Sequence, residues 1–439
     1  MSSYSASDVH VAPVASKRGS ATWPAFSIVL LLVLAVLLPP GFMTGMNLCL
    51  LFLAAMAWLG SGEQFDRNLL RAIAPFLAIA VVGLLGGIGA DRYLYLKDAW
   101  YVTNPAIIIC VGYVLYRNKP DLARGLRAFV IGGTLLALLH FTVFIRHPEV
   151  LSLSAYKLRE AVGTGYYAIA LAFTVLCVYF GRWRENLQLP NWFAVLLLVI
   201  CSTGVAATFS RTMVIIAAIG VAAAFGFFAR QELPRTVALA IAALAAIVVL
   251  NLSLDLNSDD VRQSFLGKIA RSVEELSVDE TSDIRSINLN WRGYETSRAF
   301  STYAAGNPVQ WLTGQGFGKQ VDLGLFMPLG TSSGFVENIR FAPVLHNGYA
   351  YLLVKGGPIS IALFMYSMIW LYRVGRKRAS GPAADAHTGA SRLMQSIALS
   401  LVFATIFISG VFNKLDMFPH MLAAGFLIGA LTDRKLAGS

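Results

Sequence analysis

The sequence is poor in charged residues. Asp, Glu, Lys and Arg make up only 13% of the 439 residues, whereas 56% are hydrophobic and the mean hydropathy is +0.64. A chain that folds in water needs a larger share of charged side chains to cover its surface. The composition therefore excludes a soluble enzyme.

Cysteine is also scarce, and motifs that bind nucleotides or catalytic metals are absent. The four cysteines, Cys49, Cys110, Cys177 and Cys201, all fall inside apolar segments, so the sequence supports neither a disulfide framework nor a thiolate metal site. It contains no P-loop, no GxGxxG fingerprint, no HExxH and no clear internal repeat. These absences predict no cofactor and disfavour an ATP-driven pump.

Long apolar segments recur along nearly the whole chain. A bilayer core takes about twenty mostly apolar residues per helix. Twelve segments fit this pattern, which predicts an all-α polytopic membrane protein. They span residues 25–38, 42–59, 71–89, 99–116, 126–145, 163–181, 192–209, 212–229, 237–250, 347–372, 393–411 and 417–431.

The excess of basic residues indicates how the chain crosses the membrane. The net charge of +11 would suggest nucleic-acid binding in a soluble chain. Here, one face of the predicted spans carries nineteen Lys and Arg residues, against seven in the short loops of the other face. Because cytoplasmic loops carry the basic excess, both termini are predicted to be cytoplasmic and no nucleic-acid partner is predicted.

These segments divide the chain into five parts. Residues 1–24 form a cytoplasmic disordered tail, 25–250 the first nine transmembrane helices, 251–345 a periplasmic loop domain, 346–433 the last three transmembrane helices, and 434–439 a second cytoplasmic tail. The first span follows Lys17 and Arg18 as a signal peptide would. Its apolar run ends at Pro39 and Pro40 without a small-residue cleavage site, which favours a retained helix.

The long loop is the only domain-sized polar segment. Its periodicity predicts two amphipathic helices, at 260–276 and 288–303. Repeated glycines then predict an irregular, loop-rich stretch up to His346.

His346 and Asn347 stand where this loop enters the tenth span. An imidazole at this position can act as a general base near neutral pH, taking a proton from an acceptor hydroxyl. The start of a helix also favours a bound anion nearby. The alternative, which position alone favours, is an interfacial histidine that is bonded to loop carbonyl groups.

Three arginines belong to the same outer boundary. Arg211 follows Ser210, a plausible N-cap, at the start of the eighth span, where a guanidinium and free backbone N–H groups favour phosphate. A snorkelling arginine at the lipid headgroups is the alternative. Arg292 lies on the second loop helix, where an ion pair with Glu295 is the alternative, and Arg159 opens the sixth span. With no carboxylate cluster for a metal, this set suits an anionic, lipid-linked substrate.

The layout resembles that of the O-antigen ligase and polymerase superfamily of bacterial inner membranes. The resemblance rests on twelve spans with one large outer loop between the ninth and tenth, and on Ser210-Arg211 at the start of the eighth. It also rests on an arginine-bearing helix followed by the sequence WLTGQGFG at 311–318, and on His346-Asn347 with Gly356-Gly357 further on. The layout covers most of the chain, and the specific motifs lie between residues 210 and 357.

The resemblance implies a fold similar to that of the GT-C glycosyltransferases and an inverting reaction without metal or ATP. It implies transfer of a glycan from undecaprenyl pyrophosphate to the lipid A-core oligosaccharide at the periplasmic face of the inner membrane. His346 would be the catalytic histidine, and Arg211, Arg292 and, on a looser match, Arg159 would contact the pyrophosphate. Asp416 would orient a partner, or would pair with Lys414 in its own turn.

Lys355 departs from the expected pattern of an apolar span. It lies nine residues into the tenth span, about 13 Å along a helix from His346. A charge at this depth is costly unless it faces a polar cavity. It would either help to hold a phosphate or line a wet groove.

Several other functions remain open at this stage. Within the superfamily, an O-antigen polymerase and a protein O-oligosaccharyltransferase share the layout. A single large outer loop, with no further periplasmic region at the C-terminus, favours the ligase. Outside the superfamily, a lipid-linked glycan transporter predicts two similar halves, and a non-enzymatic scaffold predicts that His346 and Arg211 are dispensable.

Overall fold

The structure of this chain is a computed structural model, and it describes most of the apolar segments. The described residues are 23–38, 66–148, 165–180, 187–208, 210–228, 290–330, 336–376, 386–409 and 416–433, with 45, 48, 49, 52, 55, 287, 411 and 412 as isolated positions. The predicted spans at 42–59 and 237–250, the predicted loop helix at 260–276 and Arg159 lie outside the continuous ranges.

Helices dominate the described part of the chain. Ten apolar helices coincide with ten of the twelve predicted spans, and α8 confirms the second predicted loop helix. The helices are α1 (Trp23–Leu37), α2 (Arg67–Gly86), α3 (Arg92–Asn118), α4 (Leu122–Arg146), α5 (Tyr166–Tyr179), α6 (Asn191–Ala207), α7 (Arg211–Ala224), α8 (Trp291–Ala304), α9 (Gln310–Thr313), α10 (Gly348–Arg376), α11 (Ala386–Phe407) and α12 (Phe418–Thr432). Five of them, α2, α3, α4, α10 and α11, are long and apolar enough to cross a membrane.

Helix starts follow from local sequence. Asp66, Asp91 and Asp121 precede α2, α3 and α4, and each carboxylate accepts a hydrogen bond from a backbone N–H in the first turn, at 2.6, 3.0 and 2.9 Å respectively. These bonds satisfy donors that have no partner inside the helix and place a negative charge at the positive end of the helix dipole.

The core of the bundle is built around α12. All residues from 418 to 431 are buried, and the helix packs against α3, α11, α5 and several others. Gly425 makes the closest approach, because a Cβ at this position would collide with the carbonyl oxygen of Ile109 on α3. Small residues at such crossings let helices pack closely where no water-driven force joins them.

The outward faces of the peripheral helices remain apolar. Large hydrophobic side chains on α1, α4 and α6 are exposed, among them Phe26, Leu135 and Trp192. Exposed apolar side chains in such number are typical of contact with lipid. The described part of the chain is thus an α-helical bundle of the kind that membranes contain.

The loop segment contains a small β-hairpin that the sequence analysis did not predict. Strands β1 (Val321–Gly330) and β2 (Val336–Ala342) pair antiparallel, with Val321 opposite Ala342. The prediction of an irregular stretch was wrong here. Val321 and Leu323 are buried while Asp322 between them is not, so an alternation typical of a strand was present but was outweighed by the glycines.

Contacts between α7 and α11 fix which ends of the helices lie together. The Arg392 guanidinium, near the start of α11, donates to the carbonyl of Ala224, the last residue of α7, at 2.8 Å. The two helices therefore run antiparallel, and Arg211 lies at the end of the bundle where α11 finishes. There the Ser409 hydroxyl donates to the carbonyl of Leu345, beside His346. We call this the loop end of the bundle.

Candidate functional site

A histidine and a buried carboxylate form a pair at the loop end. The Nδ1 atom of His346 lies 3.2 Å from Oε1 and 3.3 Å from Oε2 of Glu295, and the backbone N–H of His346 donates to Oε2 at 2.7 Å. The Glu295 side chain is 3% exposed, whereas that of His346 is 47% exposed. The carboxylate thus holds one edge of the imidazole ring and leaves the other edge toward open space.

This arrangement favours one form of the imidazole. A carboxylate that accepts from Nδ1 keeps the proton on that nitrogen and leaves the lone pair on Nε2. A histidine oriented in this way can take a proton from a hydroxyl group, and the carboxylate stabilises the imidazolium that forms.

Glu295 is positioned by the attachment of α8 to the hairpin. The Tyr294 hydroxyl donates to the carbonyl of Leu323, and Nε of Arg298 donates to the carbonyl of Asp322 at 2.9 Å. Both acceptors belong to β1, so one side of α8 is fastened to the strand. Glu295, between the two donors in sequence, faces the start of α10.

The hairpin is held by a charged pair of its own. Nε of Arg340 on β2 donates to Oδ1 of Asp322 at 3.0 Å, and the Gly324 N–H donates to the same oxygen at 2.8 Å. The bond from Arg340, followed by that from Gly324, lowers the pKa of Asp322 to about 2. The carboxylate therefore stays ionised across the whole physiological range.

The first turn of α10 fixes the backbone of His346. The Asn347 side chain accepts from the backbone N–H groups of Tyr349 at 3.0 Å and Ala350 at 3.2 Å, which makes it the N-cap of this helix. With Ser409 bonded to Leu345 and Glu295 bonded to the His346 N–H, the backbone is anchored on both sides of the imidazole.

α10 is interrupted nine residues after its start, and the loop at 314–318, which we call the glycine loop, lies against the break. Gly357 has φ of 65° and ψ of −171°, which favours glycine and divides the helix. The Gln315 N–H donates to the carbonyl of Val354 at 2.7 Å. A Cβ on Gly314 would lie 2.5 Å from the backbone nitrogens of Gly356 and Gly357, so this contact also requires glycine.

A buried ion pair joins the same loop to α3 and α10. The Lys355 ammonium lies 2.6 Å from Oδ2 of Asp98, and each side chain is 3% exposed. Asp98 also accepts from the Tyr351 hydroxyl at 2.9 Å and from the Gly318 N–H at 2.7 Å. Lys355 further donates to the carbonyl of Lys319. Lys355 therefore bonds to protein groups in a buried network.

The other predicted site residues are distributed around the loop end. Arg211 is the first residue of α7, and Ser210 occupies the N-cap position, although its hydroxyl makes no capping bond. Arg292 lies in the first turn of α8, three residues before Glu295, so it belongs to the helix that contacts His346. Asp416 is half-buried just before α12.

Sequence reasoning missed two carboxylates. Glu295 was considered as a partner for Arg292, and its contact with His346 across 51 residues was not foreseen. Asp98 was assigned to a loop because the predicted span began at residue 99, whereas the observed α3 begins at Arg92 and includes Asp98. Among the described residues, no group of three or more His, Cys, Asp and Glu side chains is placed to hold a metal ion.

The buried pair generates a prediction about stability. Lys355→Met leaves the Asp98 carboxylate buried without its counter-charge, which typically costs about 3–5 kcal/mol. We expect a clear drop in the thermal unfolding temperature of the detergent-solubilised protein. The double variant D98N/K355M should recover part of this loss, because no unpaired charge remains. Lys319→Met, at an exposed side chain that contributes to the network only through its backbone, is the matched control. Equal unfolding temperatures for K355M and K319M would contradict the interpretation.

A comparison with known protein families identifies the region that carries this site. Residues 195–365 match the O-antigen ligase family. The matched region contains Arg211, Arg292, Glu295, His346 and Lys355. A search among curated proteins gave no significant match. Together, the apolar helices and the match over residues 195–365 indicate a multi-pass membrane protein with a region similar to the O-antigen ligase family.

Proposed function

We propose that this protein is an O-antigen ligase. It transfers a glycan from undecaprenyl pyrophosphate to the lipid A-core oligosaccharide, at the periplasmic face of the bacterial inner membrane, without metal or ATP. The observation that carries the proposal is the His346–Glu295 pair, a half-exposed imidazole held by a buried carboxylate at the loop end. A base of this kind is what the attack of a sugar hydroxyl requires.

The reaction needs a base that takes the proton of the attacking sugar hydroxyl. As the hydroxyl oxygen of the acceptor sugar attacks the anomeric carbon of the donor, Nε2 of His346 takes its proton. The bond from the anomeric carbon to the pyrophosphate oxygen breaks, and the pyrophosphate leaves with the electron pair. One displacement of this type inverts the anomeric configuration.

The leaving group needs stabilisation of its negative charge. Arg211 lies at the loop end as the first residue of α7, where the guanidinium and the positive end of the helix favour a phosphate. Arg292 lies one helical turn from Glu295 and is the second candidate. Arginines in these places stabilise a pyrophosphate at the depth of lipid headgroups while the undecaprenyl tail remains in the bilayer.

His346→Ala should abolish most of the transfer, because a positioned general base contributes roughly 10²–10⁴-fold to such a step. The assay uses the purified protein, undecaprenyl pyrophosphate-linked glycan and lipid A-core, without added metal. His147→Ala, at an exposed histidine at the end of α4, is the control and should keep full activity. Full activity of H346A at a normal protein level would refute the role of the histidine.

The same assay separates the ligase from the related activities. Glycan attached to the lipid A-core supports the ligase. Longer lipid-linked chains in place of modified core would indicate an O-antigen polymerase, and glycan on an added protein acceptor would indicate a protein O-oligosaccharyltransferase.

Glu295→Gln should lower kcat by roughly 10²–10⁴-fold while leaving both KM values nearly unchanged. The amide of glutamine can donate to Nδ1, which moves the imidazole proton to Nε2 and removes the basic lone pair from the reacting side. The neighbouring variant Thr296→Ala is the control. If E295Q changes KM as strongly as kcat and also lowers the unfolding temperature, Glu295 has a purely structural role instead.

Arg211→Ala should reduce kcat/KM for the donor by roughly 10²-fold, as expected for the loss of one strong donor to a developing anion. Arg211→Lys should recover only part of the activity, because an ammonium cannot form the paired bonds of a guanidinium. Arg146→Ala, at an exposed arginine that ends α4, is the control. If R211A leaves kcat/KM for the donor unchanged, Arg211 does not contact the pyrophosphate as proposed.

A further inference from the structure

A groove lies at the loop end between the α2–α3 turn, the glycine loop and the hairpin. Its volume is about 420 Å³, within the usual range for ligand sites. Its lining includes Gly86 and Gly87, Asp91 before α3, and Lys319, Gln320 and Phe341. Of these residues, only Lys319 takes part in the contacts of the site described above, through its backbone carbonyl.

The lining is chemically mixed. Phe341 is 48% exposed, and the Arg340 guanidinium lies 5.5 Å from the centre of its ring. The lining also includes one carboxylate, one ammonium and two amides, from Asp91, Lys319, Gln315 and Gln320. Charges of both signs suit neither an anionic headgroup nor a hydrocarbon chain. They suit a ring whose hydroxyl groups both donate and accept, and whose apolar face packs on an aromatic ring.

The floor of the groove is fixed before any ligand binds. Phe317 is fully buried, and its N–H donates to the carbonyl of Gly83 at 2.8 Å. The next two residues bind the buried ion pair, since Gly318 donates to Asp98 and Lys319 accepts from Lys355. A pre-ordered floor lowers the entropic cost of binding.

The groove and Arg211 belong to helices that pack with different neighbours. α10, which begins beside His346, packs against both α2 and α11, whereas α7 packs against α11. Phe341 precedes His346 by five residues, so their Cα atoms are at most about 18 Å apart. In a single displacement, the attacking oxygen and the leaving group lie on opposite sides of the anomeric carbon. With the pyrophosphate at Arg211, the acceptor approaches from the side of the groove.

We infer that this groove binds the saccharide of the acceptor, with Phe341 as its stacking platform. The direction of approach rests on the proposed function, whereas the binding of a neutral saccharide rests on the lining of the groove alone. Phe341, Lys319 and Gln320 are then specificity-determining residues that act through the acceptor sugar.

The test replaces Phe341 by leucine, which keeps an apolar residue on β2 but removes the aromatic face. We expect the KM for the lipid A-core acceptor to rise roughly tenfold, because one aromatic contact is lost. The kcat and the KM for the donor should stay unchanged. Phe326→Leu, at a 68% exposed phenylalanine on β1 outside the groove, is the matched control. If F341L fails to fold, Lys319→Gln gives a second test at an exposed side chain.

A binding experiment separates this inference from the proposed function. Lipid-free core oligosaccharide is added to the full-length protein in nanodiscs, and binding is followed by saturation-transfer NMR. Binding that is weakened about tenfold in F341L and unchanged in F326L supports the groove, even if the wild type transfers no glycan. Equal binding by the wild type, F341L and F326L overturns the inference. In the transfer assay, a rise in the KM for the donor in place of that for the acceptor also overturns it.

Discussion

The buried carboxylate of Asp98 is the constraint on which the loop end depends. A charge removed from water must find bonding partners within the protein, and Asp98 finds three on two elements: Lys355 and Tyr351 on α10, and the Gly318 N–H in the glycine loop. The same carboxylate therefore joins α3, the outer half of α10 and the loop that follows α9. This network fixes the helix that begins just after His346.

The divided α10 adds to this constraint. Glycine at 357 turns the chain, and glycine at 314 lets the loop backbone reach the freed carbonyl of Val354 through Gln315. Irregular backbone at this depth is tolerated because its polar groups are bonded within the protein. The result is a rigid polar layer beneath the loop end, on which α8 and the hairpin place Glu295 against His346.

This architecture separates the three tasks of the proposed reaction. The base lies just before α10 and its carboxylate on α8, and the arginine proposed for the leaving group belongs to α7. The groove proposed for the acceptor lies at α2, α3 and the hairpin. Each task thus depends on a different packing contact, so substitutions at these places should affect donor, acceptor and proton transfer separately.

Hydropathy by itself determined ten helices that the structure describes, because an apolar run long enough for a bilayer is a local property of the chain. The sequence also located α8 and the junction at His346, since both follow from local periodicity and polarity. Only the tertiary structure decided which carboxylate reaches His346 and which residue neutralises Lys355. These partners lie 51 and 257 residues away in sequence. Contacts of that kind arise from how the helices pack, and no local pattern of residues encodes them. The hairpin lies between the two cases: its alternation was visible, yet its pairing and its bonds to α8 required the folded chain.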